Sequence, residues 1–244
     1  MIQQATLPLA PALPNPVWPW APNDSGSLLR RLRQAAETRQ PVLLGTNVDP
    51  YSTPEQYREA LRPILEALGR LEGLTVSIDT RSPRVREDAE RLAELDTQHA
   101  VRVRMALPAL DPDLAAVLEP HGSPPDERLA AVERLANHGL AVVVAIKPLL
   151  PWINHEESTL RPLVAAAAAA GAVDVEVEPL VLRSETRPKL LPWLHRHFPE
   201  LVGAYKSLYG RHDRLAAGDR ERILMPFRAL RLEYGFPRMA FGRG

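Results

Sequence analysis

Polar side chains follow the first apolar segment of the chain, in the stretch "LLGTNVDPYSTPEQY" at residues 43–57. Asn47, Asp49 and Tyr51 place an amide, a carboxylate and a phenol directly after a run that has the composition of a buried strand. Such groups bind a polar ligand at the end of a strand, and they also form turns and helix caps that bind nothing. The residue types leave both interpretations open.

A second polar group follows the next apolar segment, where Thr80, Arg81 and Ser82 precede a helical pattern. Hydroxyls at a helix start beside a cation suit a phosphate or carboxylate ligand, and the alternative is an N-cap next to a solvated arginine. Lys147 ends a later apolar segment and is a candidate anion ligand, and Asn154 ends the proline-stiffened loop after it.

The stretch "LEPHGSPPDERL" at residues 118–129 joins two segments of helical pattern. It contains Glu119 and Arg128, whose opposite charges predict an ion pair that fixes this loop.

Composition excludes several kinds of chemistry for this chain of 244 residues. It contains no cysteine, so it has no disulfide, no thiolate zinc site, no cysteine nucleophile and no cysteine-held iron–sulfur cluster. No His-x-x-x-His or His-Glu-x-x-His pair appears, and we expect no metal. The formal net charge is zero, so any nucleic-acid contact must depend on a local basic patch. No secretory signal or membrane-spanning segment is apparent, and we predict a cytoplasmic location.

Strand and helix patterns alternate about five times between residues 27 and 185, which predicts a parallel sheet covered by helices. An open doubly wound sheet and a (β/α) barrel both fit. The absence of a Gly-x-Gly-x-x-Gly turn counts against a dinucleotide-binding sheet. In a barrel, the polar residues at the strand ends would gather at one mouth.

Two further regions flank this alternating core. Residues 1–26 contain six prolines together with Trp18 and Trp20, which predicts an extended leader. Two interpretations of the tryptophans are open: they pack on this chain's own surface, or they contact a partner. Residues 186–244 have helical patterns without strands, so we predict a helical extension that caps the barrel.

Five motifs together resemble those of the radical SAM proteins grouped with spore photoproduct lyase. In order, they are "LLGTNVDPY", "VSIDTRSP", "LDPDLAAVLEPHGSPPDERL", "LANHGL" and "KPLLPWINHEE". The resemblance implies a partial barrel in which a Cys-x-x-x-Cys-x-x-Cys loop after the first strand holds a [4Fe–4S] cluster with S-adenosylmethionine. It also places the cofactor amino group near Gly45 to Asp49, and its remaining parts near Met105 to Leu107, Arg128 and Lys147 to Pro151.

The departures from this family pattern are specific. The cysteine loop is absent, a Thr-Lys-Ser motif reads Thr80-Arg81-Ser82, a strand-end serine region reads Met105-Ala106-Leu107, and a final Asn-Asp reads Asn154-His155. We therefore predict a truncated, cluster-less relative of α/β class, with a partial radical SAM-type barrel of about five parallel strands.

The predicted function is a non-catalytic binding or partner subunit, linked to nucleic-acid repair or modification. Its partner would be a cysteine-bearing paralogue or a second copy of the chain, and nucleic acid is the less supported partner. The first alternative is a protein that binds S-adenosylmethionine or another nucleotide without radical chemistry. The second is an enzyme with non-radical chemistry at the strand-end mouth.

Overall fold

The computed structural model describes residues 25–46, 48–54, 60–182, 184 and 186–236. Trp18, Trp20 and Asn47 lie outside these residues, so the predictions made for them stay predictions.

Five strands form one parallel sheet in the described part of the chain. They are β1 (Val42–Leu44), β2 (Thr75–Thr80), β3 (Ala100–Ala106), β4 (Ala141–Leu149) and β5 (Asp174–Pro179). Their order in the sheet is their order in the chain, and each neighbouring pair is parallel. A doubly wound sheet reverses its strand order at a switch point, which this sheet does not do. Because right-handed crossovers in such an order put all helices on one face, the sheet has the arrangement of a partial barrel.

The helices that connect and follow the strands match most of the predicted segments. They are α1 (Ser25–Thr38), α2 (Arg62–Leu68), α3 (Ala89–Asp96), α4 (Pro112–Leu118), α5 (Pro125–Asn137), α6 (Glu157–Ala169), α7 (Arg187–His197), α8 (Val202–Tyr209) and α9 (Ala217–Glu233). Two details differ from the prediction. Helix α1 begins at Ser25, two residues inside the predicted leader, and the segment after Ser82 starts as a 3-10 helix (Pro83–Asp88) before α3.

The two faces of the sheet differ in chemistry because successive side chains of a strand alternate in direction. Val76 and Ile78 of β2 and Val103 of β3 belong to one apolar core with the helices that cover the sheet. The intervening positions are polar, and the strand register pairs Ser77 with Arg102 and Asp79 with Arg104. This second face is called the inner face below.

Helix α8 contacts the loops that follow β4 and β5. The Tyr205 hydroxyl donates to the Pro151 carbonyl at 2.8 Å, and the Tyr209 hydroxyl donates to the Leu180 carbonyl at 3.0 Å. Both tyrosines are buried, and burial raises the pKa of each phenol above its ordinary value. No helix in the described part of the chain is both long and apolar enough to cross a lipid bilayer.

Candidate functional site

Asp49 fastens the loop after β1 to the end of β2. Its carboxylate accepts the Thr80 hydroxyl at 2.8 Å, the Arg81 backbone N–H at 2.7 Å and the Tyr51 backbone N–H at 3.0 Å. These bonds occupy both carboxylate oxygens, so the geometry is that of a turn that joins two strand ends. Asp49 and Thr80 remain ligand predictions, but both side chains already have protein partners.

Tyr51 and Ser82 also point into protein contacts. Tyr51 is buried, and its hydroxyl donates to the Asp88 carboxylate at 3.0 Å, so the phenol lies in the core and not at a mouth. Ser82 is the N-cap of the 3-10 helix, as the capping interpretation predicted, and its hydroxyl accepts the Arg84 backbone N–H at 3.4 Å.

Gly45 allows the close approach of these two strand ends. It has φ +87°, and a Cβ built at this position would overlap the Asp79 carbonyl oxygen. Only glycine combines this left-handed conformation with such a contact. The glycine of the opening motif therefore has a structural reason that is independent of any ligand.

Glu119 and Arg128 form the predicted ion pair, at 2.5 Å, and both are buried. The Arg128 guanidinium also donates to the carbonyls of Ala106 at 2.9 Å and Ser123 at 3.0 Å. Arg81 approaches the second oxygen of Glu119 at 3.4 Å. Arg128 therefore fixes α5 and its preceding loop to the end of β3, and its guanidinium is engaged by protein groups.

Asn154 is fully buried and uses both ends of its amide. Its side-chain oxygen accepts the Leu150 backbone N–H at 2.6 Å. Its side-chain nitrogen donates to the Pro108 carbonyl at 2.9 Å and the Pro148 carbonyl at 3.0 Å. The residue thus closes the turn after β4 and ties it to the loop after β3.

Lys147 belongs to an ion network on the inner face, which we call the inner-face network. Its ammonium and the Arg104 guanidinium both contact the same Asp79 oxygen, at 2.9 Å and 2.8 Å. Arg104 also donates to Glu176 at 2.8 Å and to Glu178 at 2.8 Å. Four strands, β2 to β5, are therefore linked through charged side chains.

Arg104 is the centre of the inner-face network. Its side chain is 14% exposed, and burial opposes its charge, but Asp79, Glu178 and Glu176 outweigh burial and raise its pKa above the ordinary value. Lys147, Glu176 and Glu178 retain exposed fractions of 16%, 27% and 26%, so solvent reaches this face. It offers both signs of charge at short range, which suits a zwitterionic ligand.

The sequence prediction did not include Arg104 or Glu176. A signal for them was present, because "VRVRM" and "DVEVEP" alternate charged and apolar residues. A charged position on every second residue of a strand places those charges on one face. The opposite signs on these two strands indicate side chains that pair across the sheet.

Trp152 lies in the turn after β4 and has an unusual conformation. It has φ +60°, which costs a non-glycine residue about 1 kcal/mol or more, and 43% of the residue is exposed. Its backbone N–H donates to His155 Nδ1 at 2.7 Å. Its ring meets the rings of His155 and Tyr205 edge-on, with centroids 6.4 Å and 6.0 Å apart.

The family of this chain follows from a comparison with known sequences. Residues 22–161, more than half of the chain, match the radical SAM superfamily. The chain belongs to this superfamily. The match includes the loop after β1, the Asp49 contacts and the strand ends up to the turn that contains Asn154, in agreement with the resemblance of the motifs.

This chain spans about three fifths of the length of the curated relatives that it matches. An uncharacterized protein of Mycobacterium bovis is 36% identical over 201 residues, which are 82% of this chain and 59% of that protein. Spore photoproduct lyase has a similar structure, with a TM-score of 0.64 and 14% identity over 87% of this chain and 64% of the other. SuiB of Streptococcus suis, bound to S-adenosylmethionine, has a TM-score of 0.51 and 16% identity over 75% of this chain and 40% of the other.

The residues of this superfamily member do not fit an iron–sulfur cluster. The resemblance implies three cysteine ligands, and the chain has no cysteine. Among residues 25–46, 48–54, 60–182, 184 and 186–236, no group of three or more His, Asp or Glu side chains is arranged to hold a metal ion. The carboxylates on the inner face are engaged by Arg104 and Lys147 instead.

Proposed function

We propose that this chain is a cluster-less member of the radical SAM superfamily that acts as a non-catalytic binding or partner subunit in nucleic-acid repair or modification. The observation that carries the proposal is the retention of the parallel sheet with its strand-end contacts in a chain without cysteine. Reductive cleavage of S-adenosylmethionine needs an electron from a cluster, and this chain has no thiolate to hold one.

The β1 edge of the described sheet is the proposed partner surface. Strand β1 is at the end of the described sheet, and its neighbourhood exposes Leu43 at 40% and Val48 at 53%. An uncovered edge with apolar side chains is a site for pairing with another chain. A cysteine-bearing paralogue or a second copy is the proposed occupant, with Trp18 and Trp20 as additional contacts.

The first test measures whether the chain binds an iron–sulfur cluster. Anaerobic reconstitution of the full chain with iron and sulfide should leave no bound iron after desalting and none of the visible absorbance typical of such clusters. Stoichiometric iron bound to this chain alone would overturn the cluster-less proposal.

The second test measures the partner surface by size-exclusion chromatography, with the chain alone and after co-expression with a cysteine-bearing paralogue. Leu43→Asp places a charge on the exposed edge and should abolish the complex. Val173→Asp is the matched control, because Val173 is 49% exposed and precedes β5 at the other edge of the sheet. Equal complex formation by both variants, or no complex with the unsubstituted chain, would reject the proposed edge.

A second candidate function is the binding of S-adenosylmethionine without radical chemistry. The inner-face network favours it, since that face presents cations and carboxylates to a zwitterion, and SuiB is a structural neighbour with this ligand bound. Calorimetry should compare the chain with Lys147→Met, which leaves Asp79 paired with Arg104. Binding that weakens about tenfold or more in the variant would support this function.

A further inference from the structure

The C-terminal cap concentrates positive charge in a chain that is neutral as a whole. Between residues 186 and 214 there are six Lys or Arg residues and two acidic residues, whereas the complete chain has thirty of each kind. Five of the six cations are exposed, and none forms an ion pair with a described residue. They are Lys189, Arg196, Lys206, Arg211 and Arg214. His195, His197 and His212 are also exposed on this segment.

Arg187 joins the two helices that carry most of these cations. Its guanidinium donates to the carbonyls of Gly210 at 2.9 Å and His212 at 2.6 Å, and it pairs with Asp213 at 3.1 Å. These contacts hold the start of α7 against the end of α8. The sixth cation therefore joins the two helices, while the other five remain available to a ligand.

Aromatic rings accompany the cations. On α7, the i, i+4 and i+8 spacing places Lys189, Trp193 and His197 on one helix face, and the last two rings lie 5.5 Å apart. On α8, Lys206 follows Tyr205, whose ring supports the exposed Trp152. Proteins bind single-stranded nucleic acid with two kinds of group, namely cations that contact the phosphates and aromatic rings on which the bases stack.

The strain at Trp152 strengthens this assignment. A tryptophan at φ +60° gains no stability from its backbone, and much of its surface is not used in packing. The ring is nevertheless fixed by Tyr205 and His155 and by the backbone bond to His155. A fixed and exposed ring at a backbone outlier is explained by a ligand that stacks on it.

We propose that the cap surface of α7 and α8 binds single-stranded nucleic acid, with Lys189, Arg196, Lys206 and Arg211 on the phosphates and Trp152 stacked on a base. This inference deepens the nucleic-acid link of the proposed function and rests on it. It does not depend on the β1 edge or on the absence of a cluster. Those two proposals are tested separately, by complex formation and by iron binding.

The test is the binding of labelled 15-nucleotide oligo(dT) and oligo(U) to the full chain, measured by fluorescence anisotropy over a salt series. Lys189→Gln combined with Lys206→Gln should weaken binding and reduce the slope of log affinity against log salt by about 1.4, or about 0.7 for each lost phosphate contact. Arg30→Gln combined with Arg33→Gln on α1 is the matched control, because both residues are exposed cations outside the cap. This control should bind like the unsubstituted chain.

Trp152→Gly tests the stacking contact. Glycine relieves the left-handed strain but also loses the ring contacts with Tyr205 and His155, so circular dichroism and urea denaturation first establish that the variant is folded. It should weaken oligonucleotide binding about tenfold and leave the salt slope unchanged. Preference for one oligonucleotide distinguishes DNA from RNA as the source of the base. The inference is overturned if the unsubstituted chain does not bind, or if the cap variants bind as tightly as the chain itself. It is also overturned if the α1 variant loses as much affinity as the cap variant.

Discussion

Asp49 has the residue type and position of a ligand-binding group, but its side chain stabilises the structure. Its carboxylate accepts three hydrogen bonds that join the loop after β1 to the end of β2. A substitution of Asp49 would therefore disturb the loop as well as any ligand. Lys147 is the better probe of ligand binding, because its partner Asp79 keeps a second cation.

His155 occupies the position at which the family motif has an aspartate, and its ring accepts a backbone hydrogen bond. Its Nδ1 accepts the Trp152 N–H at 2.7 Å, and its side chain is 12% exposed. Burial lowers the pKa of His155, and the carboxylate of Glu156 opposes this shift only in part. The folded protein therefore favours the neutral imidazole.

The lowered pKa predicts a specific dependence of stability on pH. The unfolded chain takes up a proton at His155 near pH 6.5, at about the ordinary histidine pKa, while the folded chain does not. The free energy of unfolding should fall as the pH decreases below that value, by at most about 1.4 kcal/mol per pH unit for this one group. The loss should stop below the folded pKa. Urea denaturation at pH 7.5 and 5.5 measures the effect.

His155→Asn is the control for that measurement, because its side-chain oxygen can still accept the Trp152 N–H and does not titrate. The variant should lose less stability than the unsubstituted protein between the two pH values. An equal loss in both proteins would assign the pH dependence to other groups.

At the scale of elements, the pattern of apolar residues along the sequence predicted the positions of the strands. The apolar runs at 41–45, 74–79, 100–107, 140–150 and 173–182 contain all five strands of the described sheet except Thr80, the last residue of β2. These runs are recognisable because a strand covered by helices needs apolar residues on at least one face. The 3-10 start of the segment after Ser82 was not predicted, since capping and proline signals are the same for both helix types.

Gly45 provides a prediction about how β1 and β2 meet. Gly45→Ala should destabilise the protein by more than about 2 kcal/mol, because the new methyl group overlaps the Asp79 carbonyl in addition to the strain of a left-handed alanine. Gly73→Ala is the matched control. Gly73 has φ +75° and open space around it, so the strain alone should cost about 1 kcal/mol.

Urea denaturation of both glycine variants gives the comparison. Equal destabilisation would show that the strand ends can separate without cost, and it would contradict the close contact between Gly45 and Asp79.

At the scale of the whole molecule, the inner-face network joins strands that are far apart in sequence. Arg104 contacts carboxylates that are 25, 72 and 74 residues away along the chain. Arg104→Met should reduce the free energy of unfolding by about 3 kcal/mol, because it leaves the partly buried Glu176 and Glu178 without their main cation. Equilibrium urea unfolding followed by circular dichroism measures this change.

Arg102→Met is the matched control for Arg104→Met. Arg102 lies on the same strand and face, but it is 48% exposed and approaches Glu176 only at 3.9 Å. Its replacement should cost less than about 1 kcal/mol, as is usual for exposed ion pairs. A similar loss in both variants would mean that the inner-face network contributes no more than surface charges do.

The cap and the sheet also belong together at this scale. Buried Tyr205 and Tyr209 satisfy carbonyl groups after β4 and β5, and the buried Arg231 of α9 pairs with Asp174 of β5 at 2.6 Å. The helical patterns of residues 186–244 predicted these helices, but not which strand ends they cover, because a hydroxyl-to-carbonyl contact has no signal in the sequence.

The sequence by itself determined the alternation of strands and helices, the family resemblance, the ion pair of Glu119 with Arg128 and the exclusion of a cysteine-held cluster. These depend on composition, local periodicity and spacing, which act along the chain. The alternation of strands and helices left a doubly wound sheet and a barrel open, and the motif resemblance favoured the partial barrel. The tertiary structure confirmed it, because strand order is a property of pairing between distant segments. It also showed that the side chains of Asp49, Tyr51 and Asn154 form hydrogen bonds within the protein. It showed further that Arg104 joins the charged side chains of the inner face. Hydrogen-bond partners depend on distance in space and not on distance along the chain.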